Sequence, residues 1–352
     1  MLRVFNPPWR EFVTINVMQK LLTPILVDRF GREIRYLRMS VTDRCDLRCV
    51  YCMAEDMTFL PRKEVLSLEE LERLAQMFVG LGVQKIRLTG GEPLVRQGIV
   101  SLVEKLAAIE GLQELCMTTN GTRLAEMAEP LRAAGLSRLN ISLDTLSADK
   151  FHTMTRHGQL ANVLQGIKAS IAAGFRHTKL NCVALKHYNA DEAGQLVEFA
   201  LSHNLDISFI EEMPMGEVTS HGRVAEYISS DELRTELSRQ FNLVPSAEQT
   251  GGPARYWTVA GAQSKVGFIS PHSHNFCGSC NRVRLTATGK LLLCLGQEHS
   301  RDLRHVLRRP GSTNEELEAA IREAVQIKPE AHSFDVQSSD VQVVRFMNMT
   351  GG

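Results

Sequence analysis

Strand-like and helix-like runs alternate along most of this chain, and that alternation constrains the fold more than any other feature. Short runs rich in apolar and β-branched residues predict strands at 36–41, 85–89, 114–118, 138–142, 178–185 and 206–210. Amphipathic runs between them predict helices at 68–81, 99–109, 124–134, 162–173 and 191–202. Successive βα units of this kind predict a parallel sheet, curled or open, with functional groups at the C-terminal ends of its strands.

The alternation divides the chain of 352 residues into three regions, in line with roughly two domains at ~150 residues each. Residues 1–35 precede the first strand as an N-terminal extension, and Met18 within them is an alternative start. Residues 36–213 contain the βα units, and residues 214–352 follow a different pattern. The elements predicted in this last region are helices at 231–242 and 314–324 and a glycine-rich, strand-like stretch at 251–295.

The charge and hydropathy of the chain exclude several classes of protein. The 40 Lys and Arg residues balance the 40 Asp and Glu residues, which is unlike a DNA-coating protein or an acidic tail protein. No apolar run reaches the ~18–20 residues that a membrane-spanning helix needs. We therefore expect a cytoplasmic protein with no nucleic-acid partner and no membrane partner.

Six of the 8 cysteines fall in two close-set triplets. The first triplet has the spacing Cys-x3-Cys-x2-Cys and consists of Cys45, Cys49 and Cys52. The second has the spacing Cys-x2-Cys-x13-Cys and consists of Cys277, Cys280 and Cys294. The other two, Cys116 and Cys182, stand in apolar surroundings and are predicted to be buried core residues. Close-set triplets without a signal-peptide pattern favour metal ligation in a reducing compartment over disulfides.

The first triplet favours an iron–sulfur cluster over zinc. A structural zinc site needs four ligands, and neither a histidine nor a fourth cysteine stands close to Cys45, Cys49 and Cys52. Three thiolates on a cubane cluster leave one iron open to a small molecule. Gly90-Gly91-Glu92-Pro93 follows the second predicted strand, where the glycines allow a close backbone approach and Glu92 offers an acceptor for an ammonium group.

The second triplet is compatible with either metal when it is considered alone. The histidines near enough in sequence to complete a Cys3His zinc site are His272, His274 and His299. An iron–sulfur cluster held by Cys277, Cys280 and Cys294 fits the spacing equally well. The sequence alone therefore does not decide between zinc and an iron–sulfur cluster at this triplet.

Cations occupy strand positions that an ordinary core would fill with apolar residues. Strand alternation places Arg38, Arg87 and Lys179 on one face of their strands, and Arg282 and Arg284 on one face of an extended run after Cys280. Unpaired buried charge is costly, so cations that converge on one cavity need an anion. A triphosphate would suit bidentate arginine contacts, although the chain has no P-loop motif.

The first triplet, with Tyr51 before its third cysteine, resembles the signature of the radical S-adenosylmethionine (SAM) superfamily. In that superfamily the open iron of a [4Fe–4S] cluster binds the amino and carboxylate groups of SAM. Further stretches resemble the branch that opens molybdenum cofactor biosynthesis, namely 36–45, 85–93, 140–144, 277–284, Cys294 and Gly351-Gly352. The resemblance implies an α/β fold, an incomplete (β/α)6 TIM-like barrel closed by a C-terminal segment that carries a second [4Fe–4S] cluster.

The resemblance also implies roles for individual residues. The first triplet would hold the SAM-binding cluster, and the SAM contacts would be Tyr51, Gly91, Glu92, Ser142 and Met213. The second triplet would hold a cluster whose open iron binds the guanine of GTP. The GTP-binding residues would be Arg38, Arg87, Thr118, Lys179, Arg282, Val283 and Arg284. The residues implied in catalysis are Arg282, Arg284, Gly351 and Gly352.

The implied substrate is GTP, from which a 5′-deoxyadenosyl radical would abstract the 3′ hydrogen before C3′ attacks C8 of guanine. The implied partners are a reductant such as flavodoxin and a cyclic pyranopterin monophosphate synthase that consumes the product, and the chain would be a monomer or homodimer. One position departs from the pattern, since many relatives have arginine where this chain has Ser208. The alternatives are another twin-cluster radical SAM enzyme, such as a peptide or sulfatase maturase, and a zinc-structured nucleotide-binding protein.

Overall fold

A single 12-stranded sheet organises the computed structural model, which describes residues 25–218, 222–248, 251–338 and 340–351. Residues 1–24, including Met18, lie outside the described residues, as does Gly352. The strands are β1 Tyr36–Ser40, β2 Lys85–Thr89, β3 Glu114–Thr119, β4 Arg138–Ser142, β5 Lys179–Ala184, β6 Asp206–Glu211, β7 Leu243–Pro245, β8 Arg255–Val259, β9 Lys265–Ile269, β10 Arg282–Leu285, β11 Lys290–Leu292 and β12 Ser300–Asp302.

The centre of the sheet is parallel and its two edges come from the C-terminal region. Strands β1 to β6 pair in sequence order, each parallel to the next. Strand β10 adds parallel to β1, and β9 adds parallel to β6 at the opposite edge. All eight of these strands supply side chains to one cavity, so the sheet curls into a partial barrel. The predicted α/β fold with an incomplete barrel and a C-terminal closing segment is confirmed.

The helices mostly cover the outer face of the sheet, except the last, short helix, which lines the cavity. They are α1 Leu68–Gly80, α2 Ile99–Ala107, α3 Leu124–Ala133, α4 Ala148–Thr155, α5 Leu160–Ala172, α6 Ala193–Ser202, α7 Arg223–Glu226, α8 Ser230–Leu237, α9 Leu303–Arg308, α10 Asn314–Gln326 and α11 Met347–Thr350. A capping box starts α1, where Ser67 accepts from the Glu70 amide and Glu70 accepts from the Ser67 amide. None of the helices in the described part of the chain has the length and apolar character needed to cross a bilayer.

Most predicted elements lie within two residues of their observed bounds, and two exceptions have local causes. Helix α8 ends at Leu237, five residues before the predicted end, because the chain turns there towards the short strand β7. Helix α4 was not predicted, since its buried apolar side chains are only Phe151 and Met154 and its start depends on the cap Ser147. These short elements carry too few apolar positions for a periodic signal.

Strand alternation separates the two faces of the barrel wall. On β1, Leu37 and Met39 face outward into the apolar core beneath the helices, and both are fully buried. Tyr36 and Arg38 face inward and line the cavity. The outer face therefore holds the fold together, and the inner face is left for polar chemistry.

Part of the N-terminal extension packs onto the barrel. Leu26 and Ile34 are almost completely buried and belong to the main apolar core. The Leu26 amide donates to the carbonyl of Leu81, and Arg32 reaches the second cysteine triplet through the carbonyl of Cys277. Residues 25–35 thus brace the region between the first strands and the C-terminal segment.

Candidate active site

One cavity runs along the inner face of the parallel strands and is lined by both cysteine triplets. The first triplet follows the C-terminal end of β1, and the second lies at the N-terminal end of β10, which runs parallel to β1. The predicted site residues that also line it are Arg38, Tyr51, Arg87, Gly91, Glu92, Thr118, Ser142, Lys179, Met213, Arg282, Val283 and Arg284. Residues far apart in the sequence meet here because β10 pairs with β1 while the cysteine loop follows β1 directly. The structure therefore brings the predicted residues together, and their individual roles stay predictions.

The first triplet lies in the loop that follows β1, and its three cysteines are half-buried. Burial raises the pKa of Cys45, Cys49 and Cys52, and that of Cys52 reaches about 12. The amide of Leu47 donates to the Cys45 sulfur at 3.4 Å. Such buried thiols would lose their protons only with strong stabilisation of the thiolate, as iron provides.

The Gly-Gly-Glu turn after β2 fits closely against the cysteine loop. A Cβ on Gly90 would lie 2.6 Å from the carbonyl oxygen of Thr42, and one on Gly91 would overlap the backbone of Arg44. The amide of Gly91 donates to the Thr42 carbonyl, and that of Glu92 donates to the Arg44 carbonyl. These glycines are needed for the close approach of the chain's own backbone, and the predicted approach to a ligand stays a prediction.

Glu92 is buried and already accepts three hydrogen bonds. Its carboxylate accepts from the amides of Leu94 and Asn120 and from the Thr119 hydroxyl, at 2.6–2.9 Å. Burial raises the pKa of Glu92 to about 7, against the effect of these donors. Glu92 therefore braces the turn after β2 against the loop after β3, in addition to any contact with SAM.

Asp144 is a site residue that sequence reasoning did not select. It accepts a hydrogen bond from the hydroxyl of Tyr51 at 2.6 Å and another from the amide of Val183. Burial raises the pKa of Asp144 to about 6. The contact fixes the ring of Tyr51, which stands between Cys49 and Cys52 in the sequence. The sequence signal for Asp144 was an acidic residue just beyond the buried strand β4.

The second triplet lies at the open end of the β10–β11 hairpin. Cys277 and Cys280 precede β10, and Cys294 follows β11. Burial raises the pKa of the Cys280 thiol, but the charges of Arg282 and Lys328 outweigh it and lower that pKa to about 7. The cations beside Cys280 therefore favour its thiolate, which is the form that binds iron.

Two of the three candidate zinc histidines have other partners. The His272 ring is 2.8 Å from the Glu212 carbonyl oxygen, and the His274 ring is 2.8 Å from the Asp231 carboxylate. His299 is exposed. His332, which the sequence did not single out, lines the cavity together with Phe334.

The donor chemistry of both triplets fits iron–sulfur clusters. All six cysteines are free thiols that line one cavity. Within the described ranges, no three Cys, His, Asp or Glu side chains converge on a point where they would hold a single ion. A cubane cluster takes each thiolate on a different iron, so its ligands need not meet at one point.

The predicted cations form a ring on the inner face of the barrel wall, which we call the cation ring. It consists of Arg38, Arg87, Lys179, Arg282 and Arg284. Burial, aided by the charges of Arg87 and Arg282, lowers the pKa of Arg38 to about 10. Burial, aided by Arg38 and Arg282, also lowers the pKa of Arg284. Burial is the main cause of both shifts, and the repulsion between neighbouring arginines that adds to it would be relieved by a bound anion.

Buried polar atoms beside the cation ring have no hydrogen-bond partner within the described part of the chain. They are the side-chain oxygens of Thr89, Asn140 and Asn181, all on residues that line the cavity. Buried polar groups are almost always paired, so these oxygens point to a polar ligand. Strand alternation placed Asn181 beside Lys179 in the sequence, but nothing distinguished Asn140.

The C-terminal tail reaches the cavity wall. Arg284 donates to the Gly351 carbonyl at 2.6 Å, and Gly351 is buried beside Thr89. The two isolated cysteines, Cys116 and Cys182, are buried as predicted. Cys182 belongs to the apolar core, whereas Cys116 lies on the inward face beside Glu114.

Two family models match the chain, the Radical SAM superfamily over residues 39–200 and Molybdenum Cofactor Synthesis C over residues 205–334. A GTP 3′,8-cyclase of Pseudomonas putida is 61% identical over 328 residues, which is 93% of this chain and 98% of the relative. This chain belongs to the GTP 3′,8-cyclase family. The GTP 3′,8-cyclase of Pseudomonas syringae is 59% identical over 94% of this chain and 99% of its own length. The predicted family is therefore confirmed, with the radical SAM enzyme class and the SAM and [4Fe–4S] cofactors characteristic of it.

Solved structures show the same fold at low sequence identity. Streptococcus suis SuiB aligns with a TM-score of 0.60 at 16% identity, over 93% of this chain and 73% of SuiB. SuiB bound to S-adenosylmethionine aligns with a TM-score of 0.58 over 99% of this chain and 84% of that one. These likenesses concern the fold alone. The relatives near 60% identity favour a GTP 3′,8-cyclase over the maturase and zinc-protein alternatives.

Proposed function

We propose that this chain converts GTP to 3′,8-cyclo-7,8-dihydro-GTP, as a radical SAM lyase at the first step of molybdenum cofactor biosynthesis. The observation that carries the proposal is the shared cavity, into which both cysteine triplets and the cation ring open. A radical generator and a triphosphate site in one enclosed space suit a reaction within a nucleotide. Membership of the GTP 3′,8-cyclase family supports the same substrate.

The first site would generate the radical. Cys45, Cys49 and Cys52 would hold a [4Fe–4S] cluster, which together with SAM supplies a 5′-deoxyadenosyl radical. Tyr51, fixed by Asp144, would bound the site on the cysteine side. The other proposed SAM contacts all line the same cavity and are Gly91, Glu92, Ser142 and Met213.

The second site would hold and orient GTP. Cys277, Cys280 and Cys294 would hold a second [4Fe–4S] cluster that takes the guanine base. The cation ring, with Thr118 and Val283, would bind the triphosphate and ribose, and the unpaired oxygens of Asn140 and Asn181 offer further acceptors. Fixing the base at one end and the phosphates at the other would hold C3′ and C8 in reach of each other.

The tail would complete the substrate site. Gly351 accepts a hydrogen bond from Arg284 and so fixes one arginine of the cation ring. We propose that Gly351 and Arg284 act together on the reacting nucleotide, with Arg282 beside them. Gly352 is proposed to take part as well, from a position outside the described residues.

The partners and location follow from this chemistry. A low-potential reductant such as flavodoxin would supply the electron, and a cyclic pyranopterin monophosphate synthase would consume the cyclised nucleotide. We propose that the enzyme works in the cytoplasm, where thiols stay reduced, as a monomer or homodimer.

Anaerobic reconstitution followed by an activity assay tests the proposal. We expect about eight irons per chain, from two four-iron clusters. With SAM, GTP and dithionite, 5′-deoxyadenosine and a cyclised nucleotide should form together, and ATP should not replace GTP. Zinc in place of iron at the second triplet, or turnover with ATP but not GTP, would contradict the proposal.

A further inference from the structure

Lys328 is a completely buried lysine beside the second cysteine triplet. It stands just after α10 and is 1% exposed, which makes it one of the largest fully buried side chains in the described part of the chain. Lysine is rarely buried to this degree without a specific partner. Its position therefore calls for a chemical explanation.

The Lys328 ammonium group makes three contacts, one for each of its hydrogens. It donates to the carbonyl of Leu293 at 2.6 Å, to the carbonyl of Arg282 at 3.0 Å and to the sulfur of Cys280 at 3.5 Å. Leu293 directly precedes Cys294, and Arg282 opens the Arg-x-Arg strand. One ammonium group thus ties together a cysteine sulfur, the backbone next to a second cysteine and the cation ring.

The charge of Lys328 is not neutralised by the protein within the described ranges. Its three acceptors are two carbonyls and a thiol, and no described carboxylate forms an ion pair with it. A buried charge without a counter-ion is strongly unfavourable. Three thiolates with an iron–sulfur cluster would supply the missing negative charge at this position.

Arg32 offers a useful contrast on the same segment. It donates to the carbonyls of Cys277, Pro329 and Glu330 at 2.7–2.8 Å, and so clamps the chain just beyond Lys328. Its own charge is paired with Asp28, whose carboxylate is 2.6 Å away. Arg32 therefore holds the backbone in place without adding net charge to the site.

The first triplet has charged neighbours of both signs, because Arg48 donates to the Cys45 carbonyl at 2.7 Å and the carboxylates of Glu92 and Asp144 also lie near its cysteines. After burial, Glu92 is the largest influence that raises the pKa of Cys45, and Asp144 raises that of Cys49. At the second triplet the charges of Arg282 and Lys328 act in the opposite direction on Cys280. At Cys280 a cation also lies within hydrogen-bonding distance of the sulfur, and a nearby positive charge in general makes a cluster easier to reduce.

We propose that Lys328 is a positioning residue for the second cluster, which holds the Cys280 sulfur in place and favours the reduced state of that cluster. The inference rests on the proposed second cluster. A hydrogen bond to a ligand sulfur and a nearby positive charge both stabilise added negative charge on the iron. Loss of the Lys328 ammonium group should therefore lower the reduction potential of the second cluster.

The test is an EPR-monitored redox titration of the full chain after anaerobic reconstitution. Cys45, Cys49 and Cys52 are replaced by alanine in every sample, so that only the second cluster gives a signal. In this background we compare native Lys328 with K328M, which removes the charge, and K328R, which keeps it. K105M serves as the control, because Lys105 pairs with Glu72 on the surface.

We expect about four irons per chain in each sample and a midpoint potential that is more negative in K328M than in K328R and K105M. An unchanged potential in iron-loaded K328M would overturn the inference. Lys328 would then only hold the backbone in place through the carbonyls of Arg282 and Leu293. If K328M loses its iron while K328R retains it, the result would support a role for the positive charge at position 328. Loss of iron from both variants while the chain stays folded would contradict that role. Absence of any cluster in the parent background would instead contradict the proposed second cluster itself.

Discussion

Arg284 donates a hydrogen bond of 2.6 Å to the main-chain carbonyl of Gly351, which ties the C-terminal tail to the cation ring. Gly351 has a φ of +73°, a conformation that favours glycine. A Cβ at this position would overlap the side chain of Thr89. The tail can therefore approach Arg284 in this way only with glycine at position 351.

Gly351→Ala should disrupt the position of Arg284 and lower GTP cyclisation by about 100-fold, the cost of a displacement of roughly 1 Å at a reacting centre. The readout is the cyclised nucleotide formed per iron-loaded chain. Gly311→Ala is the control, since Gly311 has a φ of +74° but no neighbouring atom within 4 Å of an added Cβ. Equal turnover in the two variants would show that the tail does not serve the reaction.

Gly91→Ala should damage the first site and spare the second. The added Cβ would overlap the backbone of Arg44, next to Cys45, and push the cysteine loop away from the Gly-Gly-Glu turn. We expect the iron content after reconstitution to fall from about eight to about four per chain, the content of a single remaining cluster.

Gly278→Ala is the matched control for this prediction. Gly278 lies between Cys277 and Cys280, but an added Cβ there meets no atom within 4 Å. This variant should keep about eight irons, the content of two four-iron clusters. Iron loss in Gly278→Ala equal to that in Gly91→Ala would mean that the overlap with Arg44 is not the cause.

The strands and the inward cations could be predicted from local pattern, because a period of two in a strand decides which side chains share a face. Arg38, Arg87 and Lys179 were found in this way. Other features depend on contacts between distant parts of the chain. Lys328 meets Cys280 only after α10 has folded back onto the C-terminal segment, and no local pattern carries that information.

The sequence also could not predict why the Gly-Gly-Glu turn needs its glycines. A motif indicates that a close approach occurs, and the structure shows that the approaching group is the backbone of Thr42 and Arg44. Pairing of β9 and β10 with opposite edges of the sheet is likewise a long-range event. Period and composition cannot rank such pairings, since each edge offers the same unpaired backbone groups.

Lys179 should make GTP binding depend on pH near neutrality. Burial, with the charges of Arg87 and Arg138, lowers the pKa of Lys179 to about 7. A bound triphosphate favours the charged amine and raises its pKa, so affinity is highest below pH 7. Affinity should fall as pH rises through 7, by at most about tenfold per pH unit.

Equilibrium dialysis of GTP against cluster-loaded protein between pH 6 and 8.5 checks this dependence. Lys179→Arg keeps the charge throughout the range, because the guanidinium stays protonated, and should give a flatter profile. Titration of the GTP phosphates affects both pH profiles equally, so the difference between the profiles reports on Lys179. Identical profiles would show that Lys179 does not titrate against the bound anion.

Arg282→Ala should weaken GTP binding by about 10- to 100-fold, since a charge-assisted hydrogen bond is worth roughly 1.5–3 kcal/mol. SAM cleavage in the absence of GTP should persist, because Arg282 belongs to the second site. Arg301→Ala is the control, because Arg301 on β12 forms only an exposed ion pair with Glu323 of α10. Iron should be counted in both variants, and a fall to about four irons in Arg282→Ala would indicate a structural role at Cys280 instead.

Ser208→Ala should stabilise the protein and leave GTP binding unchanged. The Ser208 hydroxyl is fully buried and has no hydrogen-bond partner within the described residues, and Ser208 is not among the residues that line the cavity. Removing an unpaired buried hydroxyl should raise the free energy of unfolding by about 1 kcal/mol. Ser170→Ala should do the opposite, because the Ser170 hydroxyl donates to the Ile167 carbonyl at 2.7 Å. Anaerobic denaturant unfolding gives both values, and weaker GTP binding in Ser208→Ala would show that this hydroxyl faces the substrate.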